Sequence, residues 1–310
     1  MGRFLLFLRA CHGCYNTTLH LFSEGAVVKI GSIRVFKKHE SAPADALAQK
    51  LASWAKDKGI DCVGTSEEEL ECAADPDLLV VLGGDGTFLS AVRWLGGRQI
   101  PLLGVNLGSL GFLTEITTGE LFTALEKLLN GEGLVESRMT LHGTVERDGR
   151  VVSKFSVLND VVFNKGALAR ISEIEVSVDG LFLTTYRADG LVISSPTGST
   201  AYSLSAGGAI VHPSLSSILL SPICPHAMTN RPIVLCDTSV LEVKLREKNG
   251  ELFVTLDGQV GIELEAGDVV KVSRGVSDVL MIRSPSMDYY SLLRSKLLWG
   301  DRKSRRGTGD

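Results

Sequence analysis

The spacing of apolar positions changes character near residue 133. From Gly31 onward, short apolar runs alternate with amphipathic stretches. "SIRVFKK" at 32–38 reads as a strand. "SAPADALAQKLASWAKDKG" at 41–59 reads as a helix, with Ser41 as N-cap, Pro43 in the first turn and Gly59 as C-cap. "IDCVG" and "DLLVVL" are two further strands. A helix over 87–96 and the strand "IPLLGVN" follow. "TGELFTALEKLLNG" at 118–131 predicts another helix, bounded by Thr118 and Gly131. Strands alternating with helices predict a parallel sheet with layered helices.

Beyond residue 133 the runs are short and β-like. "ERDGR" and "EKNGE" carry the Asp-Gly and Asn-Gly chemistry of hairpin turns, and the alternation at 174–186 predicts another hairpin. "VLMIRSPSMDYYSLLRSKLLWG" at 279–300 returns to a strand and a helix. The reading is an α/β domain from 31–133 plus 276–300, made discontinuous by a β-rich domain at 134–275. Residues 1–30 are an extension expected to be poorly ordered, or to reflect a start codon assigned too early. Residues 301–310 are a solvated basic tail.

A length of 310 residues suits two domains. The net charge of −4 gives no global pull toward nucleic acid or anionic membrane. No apolar run reaches the roughly 18 residues that span a bilayer. Six cysteines in a chain of this size fit a reducing cytoplasm better than a disulfide scaffold. Cys11-His12-Gly13-Cys14 is a lone C-x-x-C with no second pair to complete a zinc site.

Chemistry gathers in a few places. "LLVVLGGDGTFLSAVRWLGG" at 78–97 runs from strand to glycine turn to helix. It fails as a dinucleotide fingerprint, because Leu89 holds the third glycine position. It fails as a P-loop, because no lysine follows. Small residues at a helix N-terminus still make an anion site. Asp85 sits badly there unless it accepts a proton or binds a sugar hydroxyl; the plainer alternative is that it caps the helix. "YRADGLVISSPTGSTAYSLSAGG" at 186–208 is rich in hydroxyls and poor in bulk. It reads as a nucleotide-binding loop, against a turn whose Ser and Thr groups satisfy one another. In "FSVLNDVVF", Asn159-Asp160 interrupts an apolar strand; the pair either bonds inside the protein or awaits a ligand. "TLDGQ" at 255–259 alone reads as a plain Asp-Gly turn.

Taken together, "LGGDGTFL", "VNLGSLGFLTE", "LNDVVF", "DGLVISSPTGSTAYSLSAGG", "CPHAMTNRPIVL", "DGQ" and "KLLWG" resemble the ATP-dependent NAD kinase family over residues 31–300, in order. Gly-Gly-Asp-Gly-Thr is shared with lipid kinases and phosphofructokinases; the 196–208 loop is the specific part. The resemblance implies a Rossmann-like N-terminal domain and a β-sandwich-like C-terminal domain. It implies transfer of the terminal phosphate of ATP to the 2′-hydroxyl of the adenosine ribose of NAD, giving NADP. It also implies a divalent metal (Mg or Mn) with ATP, and a homodimer or homotetramer in the cytoplasm, with neither nucleic acid nor membrane as partner.

By motif match, Asp85 is the proton acceptor and Gly86 lies beside it on NAD. Asn159 and Asp160 hold the nicotinamide ribose end, and Arg187 and Asp189 line the same pocket. Thr200, Ala201, Tyr202, Ser203, Leu204 and Ser205 wrap the NAD, with Tyr202 giving an aromatic face. Gln259 reaches it from another strand, and Arg170 holds a contact position outside the sharp motifs. Asp160 stands where many relatives have glutamate, and Ser195 where threonine is common. The competing readings are a lipid or sugar kinase sharing Gly-Gly-Asp-Gly-Thr, and a nucleotide sensor without turnover.

Overall fold

The computed structural model describes residues 30–63, 75–165, 172–227, 229–245 and 252–299. The expectations for the N-terminal extension, the C-terminal tail, the Asn249-Gly250 turn and Arg170 fall outside them.

The first sheet runs β2-β1-β3-β4-β19-β6, with β5 paired to β4. Its strands are β1 (Ser32–Lys37), β2 (Asp61–Val63), β3 (Leu78–Gly83), β4 (Leu102–Asn106), β5 (Ile116–Thr117), β6 (Val135–Arg138) and β19 (Val279–Ile282). Strand β3 is buried at all six positions, as its unbroken apolar run requires of a central parallel strand. Its alternation sorts the two faces. Leu78, Val80 and Leu82 pack with Leu47 and Leu51 of helix α1 (Ala42–Asp57) and Leu125 of helix α3 (Leu121–Leu129). Leu79 and Val81 pack with Phe88, Leu89 and Leu95 of helix α2 (Asp85–Leu95).

Two helix starts differ from the sequence reading. Helix α2 begins at Asp85, with Gly84 as N-cap, so Asp85 does not cap it. Helix α3 begins at Leu121 with Glu120 as N-cap, and Thr118 lies outside it. The reason is local: the Glu120 carboxylate accepts from the N–H (3.0 Å) and hydroxyl (2.8 Å) of Thr117, which fixes the entering chain.

Two antiparallel six-stranded sheets follow, built from β7 (Leu141–Arg147), β8 (Arg150–Val157), β9 (Asp160–Lys165), β10 (Ser172–Val178), β11 (Leu181–Ala188), β12 (Gly190–Ser194), β13 (Ser217–Ile223), β14 (Ile233–Cys236), β15 (Leu241–Leu245), β16 (Leu252–Leu256), β17 (Val260–Leu264) and β18 (Val269–Arg274). Their orders are β11-β10-β15-β18-β7-β8 and β14-β13-β12-β9-β16-β17. Inward residues of both sheets form one core, with Leu141, Val145, Ile174 and Val272 from one meeting Phe163, Ile193, Leu220 and Val254 from the other. The "ERDGR" turn joins β7 (Leu141–Arg147) to β8 (Arg150–Val157), with Asp148 and Gly149 both at positive φ. The alternation at 174–186 is the hairpin of β10 (Ser172–Val178) and β11 (Leu181–Ala188). Strand β6 lies just past the change of texture at residue 133, yet it pairs antiparallel with β19 in the first sheet. Strand β19 lies between β4 and β6, so the chain returns to close the sheet it began. No helix among the described residues is long and apolar enough to cross a membrane. Cys62, Cys224 and Cys236 are free thiols.

Candidate active site

The α2 N-terminus projects from a fully buried strand onto glycines. Gly84 and Gly86 are exposed, and Asp85 between them is half-buried. A Cβ at Gly83 would overlap the Thr87 side chain, so position 83 admits no larger residue without a shift of Thr87. The Asp85 carboxylate accepts four hydrogen bonds from one loop. Oδ2 accepts from Phe112 N–H at 2.8 Å. Oδ1 accepts from Leu113 N–H at 3.0 Å, Thr114 N–H at 3.1 Å and the Thr114 hydroxyl at 3.0 Å. A Cβ at Gly111 would overlap Asp85 Oδ1, so glycine is required there as well.

A second centre lies in the β-rich domain. A cavity of about 290 Å³ is lined by Asn159, Asp160, Val162, Asn164, Ala201, Tyr202, Thr255, Asp257 and Gly258. Asp160 opens strand β9 (Asp160–Lys165) and pairs with Ser194 of strand β12 (Gly190–Ser194). Asp257 sits at positive φ in the turn between β16 (Leu252–Leu256) and β17 (Val260–Leu264). Its carboxylate accepts from the N–H groups of Leu158 (3.1 Å), Asn159 (2.7 Å) and Asp160 (3.2 Å). Burial raises the Asp257 carboxyl, and those three N–H groups and Arg93 draw it back. Asp160 is pushed up to about 7, first by burial and then by the Asp257 charge; the Tyr202 N–H opposes both. Asn159 Oδ1 is a buried acceptor with no donor among the described residues.

The turn at 257–259 joins the two centres. While Asp257 holds residues 158–160, Gln259 reaches back to helix α2. Its Nε2 donates to the Gly86 carbonyl at 2.7 Å, and its Oε1 accepts from Ser90 Oγ at 3.0 Å and Arg93 Nη1 at 2.9 Å.

The 196–208 loop divides. Ala201 and Tyr202 line the cavity, and Tyr202 is 44% exposed. Several hydroxyls serve the protein itself. Ser194 and Ser195 donate to the carbonyls of Asn159 and Leu158, and Ser199 donates to the Val211 carbonyl at 3.1 Å. Ser203 is fully buried against Ser221 Oγ at 3.1 Å, and the Thr200 hydroxyl reaches the Thr197 carbonyl at 3.4 Å. Leu204 is half-buried and Ser205 exposed on the short helix α4 (Tyr202–Ser205). Arg187 and Asp189 are exposed and are not among the cavity walls; Arg187 pairs with Glu173 at 3.7 Å.

Sequence reasoning passed over Asp257, read as part of a plain turn, and the loop 106–114, quoted as a motif without a task. Neither carries a local signal. Their partners lie 97–99 and 27–29 residues away in the chain.

Known proteins match this chain over both of its regions. Residues 37–133 match the family model of the ATP-NAD kinase N-terminal domain, and residues 158–284 match that of the C-terminal domain. The NAD kinase of Geobacter sulfurreducens is 50% identical over 283 residues, covering 87% of this chain and 99% of the relative. That of Citrifermentans bemidjiense is 49% identical over 285 residues with the same coverage. Among solved structures, yeast NADH kinase complexed with NADH superposes with a TM-score of 0.80 at 24% identity, over 88% of each chain. An NAD kinase from Archaeoglobus fulgidus in complex with ATP gives 0.70 at 22% identity, over 85% of this chain and 99% of the other. At those identities the two structures speak for the fold.

Proposed function

The chain belongs to the ATP-NAD kinase family, and from that premise we propose that Asp85 is the proton acceptor of its reaction and the 159–160 cavity the seat of one end of NAD. The reaction itself is phosphorylation of NAD by ATP, at the 2′-hydroxyl of the adenosine ribose, to give NADP.

Phosphoryl transfer through a loose transition state asks for alignment and charge neutralisation more than for a strong base. A ribose hydroxyl is a very weak acid, so its proton needs an acceptor as the new P–O bond forms. Asp85 stands at the N-terminus of α2, between two exposed glycines that admit a ribose and a diphosphate to hydrogen-bond reach. The helix N-terminus adds partial positive charge. Among the described residues no group of three or more His, Cys, Asp or Glu could hold a metal ion. We assign a divalent ion, Mg or Mn, to the ATP substrate, held by phosphate oxygens.

The cavity holds part of a dinucleotide, not all of it. Asn159 Oδ1 offers an unused acceptor to a ligand N–H or O–H, Asp160 offers a carboxyl, and Tyr202 offers an aromatic face. Gly86 and Gln259 lie beside Asp85 on the path of NAD, with Thr200, Leu204 and Ser205 along the loop. Ser203 supports that loop from within, and Arg187 and Asp189 close the outer part of the site. The observation that carries this reading is the 257–259 turn, which ties Asp85's helix and the cavity wall into one unit. We assign the protein to the cytoplasm as a homodimer or homotetramer; sedimentation as a monomer at assay concentration would remove the oligomer.

The test is direct. The protein is incubated with NAD, ATP and magnesium, and NADP is read with a strictly NADP-dependent dehydrogenase. Asp85→Asn is expected to bind NAD but lose roughly 10²–10⁴-fold in turnover. An Asp85→Asn enzyme of near-normal rate would sink the assignment.

A further inference from the structure

Loop 106–114 has no task in the mechanism above, yet it grips the reacting carboxylate. Thr114 is fully buried and Asn106 is 5% exposed. Their side chains form a hydrogen-bond relay whose polarity is fixed. The Gly108 N–H needs an acceptor and finds Asn106 Oδ1 at 2.6 Å. The other end of that amide is therefore Nδ2. It donates to the Ser109 carbonyl and, at 3.2 Å, to Thr114 Oγ1. A threonine hydroxyl carries one proton. Since Oγ1 receives from Asn106, its proton points to its remaining partner, Asp85 Oδ1.

The two oxygens of Asp85 are consequently unequal. Oδ1 takes three donors, two N–H groups and the hydroxyl. Oδ2 takes one. A carboxylate has about two acceptor sites per oxygen, so Oδ1 is filled and Oδ2 keeps one open. We propose that Thr114, aligned by Asn106, is a positioning residue that commits Asp85 Oδ1 to the loop and leaves Oδ2 to take the ribose proton. In the step, the 2′-O–H bond breaks as the oxygen bonds to the terminal phosphorus of ATP. The proton passes to Oδ2, and ADP departs with the electron pair of the broken P–O bond. The inference rests on the reading of Asp85 as proton acceptor.

Thr114→Val removes the hydroxyl at nearly constant volume, and Asn106 Nδ2 keeps the Ser109 carbonyl as partner. Thr114→Ser keeps the hydroxyl. For Thr114→Val we expect kcat to fall roughly 10- to 100-fold. KM for NAD and calorimetric NAD affinity should stay within about twofold of the parent. Thr114→Ser should recover most of the rate. The inference is overturned if Thr114→Val turns over at the parental kcat, if Thr114→Ser is as slow as Thr114→Val, or if lost rate comes with lost NAD binding. Asp85→Asn assayed alongside separates the two readings. A near-normal Asp85→Asn removes the base itself, whereas an inactive Asp85→Asn with a normal Thr114→Val removes only the positioning role.

Discussion

Asp85 meets four donors from a single loop, whereas Asp160 meets one N–H and the charge of Asp257. Both are aspartates beside a glycine-containing turn, and both lie on the path assigned to NAD. In the first, backbone N–H groups replace water around the carboxylate. In the second, water is removed and little replaces it, so the group holds its proton up to about pH 7. What separates their surroundings is burial, since Asp85 is half-buried and Asp160 buried, together with the supply of donors around each carboxylate. Asp257 shows the same rule from the other side, since its three backbone N–H bonds oppose the effect of its burial.

The contrast can be broken most severely at Gly111. An alanine there forces its Cβ into Asp85 Oδ1 and Thr114 Oγ1. Steady-state assays of Gly111→Ala should show a loss of about 10²-fold or more in kcat; a wild-type rate would mean that the loop shifts without moving the carboxylate. The Asp160 side is sharpened by pH. Its folded-state value near 7 lies above the ordinary 3.8, so the folded protein binds the proton more tightly than the unfolded chain. Its contribution to stability is full below about pH 4 and is lost as pH rises through 7. Asp160→Asn should therefore gain in melting temperature over the parent from pH 5 to pH 8, and a gap independent of pH would contradict the burial argument. The smallest effect belongs to the exposed end of the junction. Arg93→Gln removes one of two donors to Gln259 Oε1 on the surface. Melting temperature should barely move, with KM for NAD rising about two- to threefold; a tenfold rise would give Arg93 a direct part in binding.

Much of the architecture was legible because its signals are periodic and local. The six-residue run of β3 announced a strand covered on both faces, and Asp148-Gly149 announced its hairpin. Asp85 stood out because charge among glycines at a strand–helix turn has few structural uses. Asp257 was invisible for the opposite reason, since an Asp-Gly turn has an ordinary explanation that hides its grip on residues 158–160. The hydroxyls of the 194–203 stretch were legible as a group but not individually. Which of them turn inward is decided by carbonyls of Leu158, Asn159 and Val211, supplied by distant parts of the chain. Strand β6 escaped assignment to the first sheet because its partner, β19, is made more than a hundred residues later.

That last pairing has a consequence during synthesis. A ribosome adding ~5–20 residues per second needs about 7–29 s to travel from Arg138 to Ile282. Throughout that interval the nascent chain has β4 and β6 but not the strand that lies between them. The sheet that bears Asp85 is thus completed only after the whole β-rich domain has emerged. A polypeptide broken off early cannot assemble a finished catalytic half, and a quality-control protease would meet an open sheet edge on every such fragment.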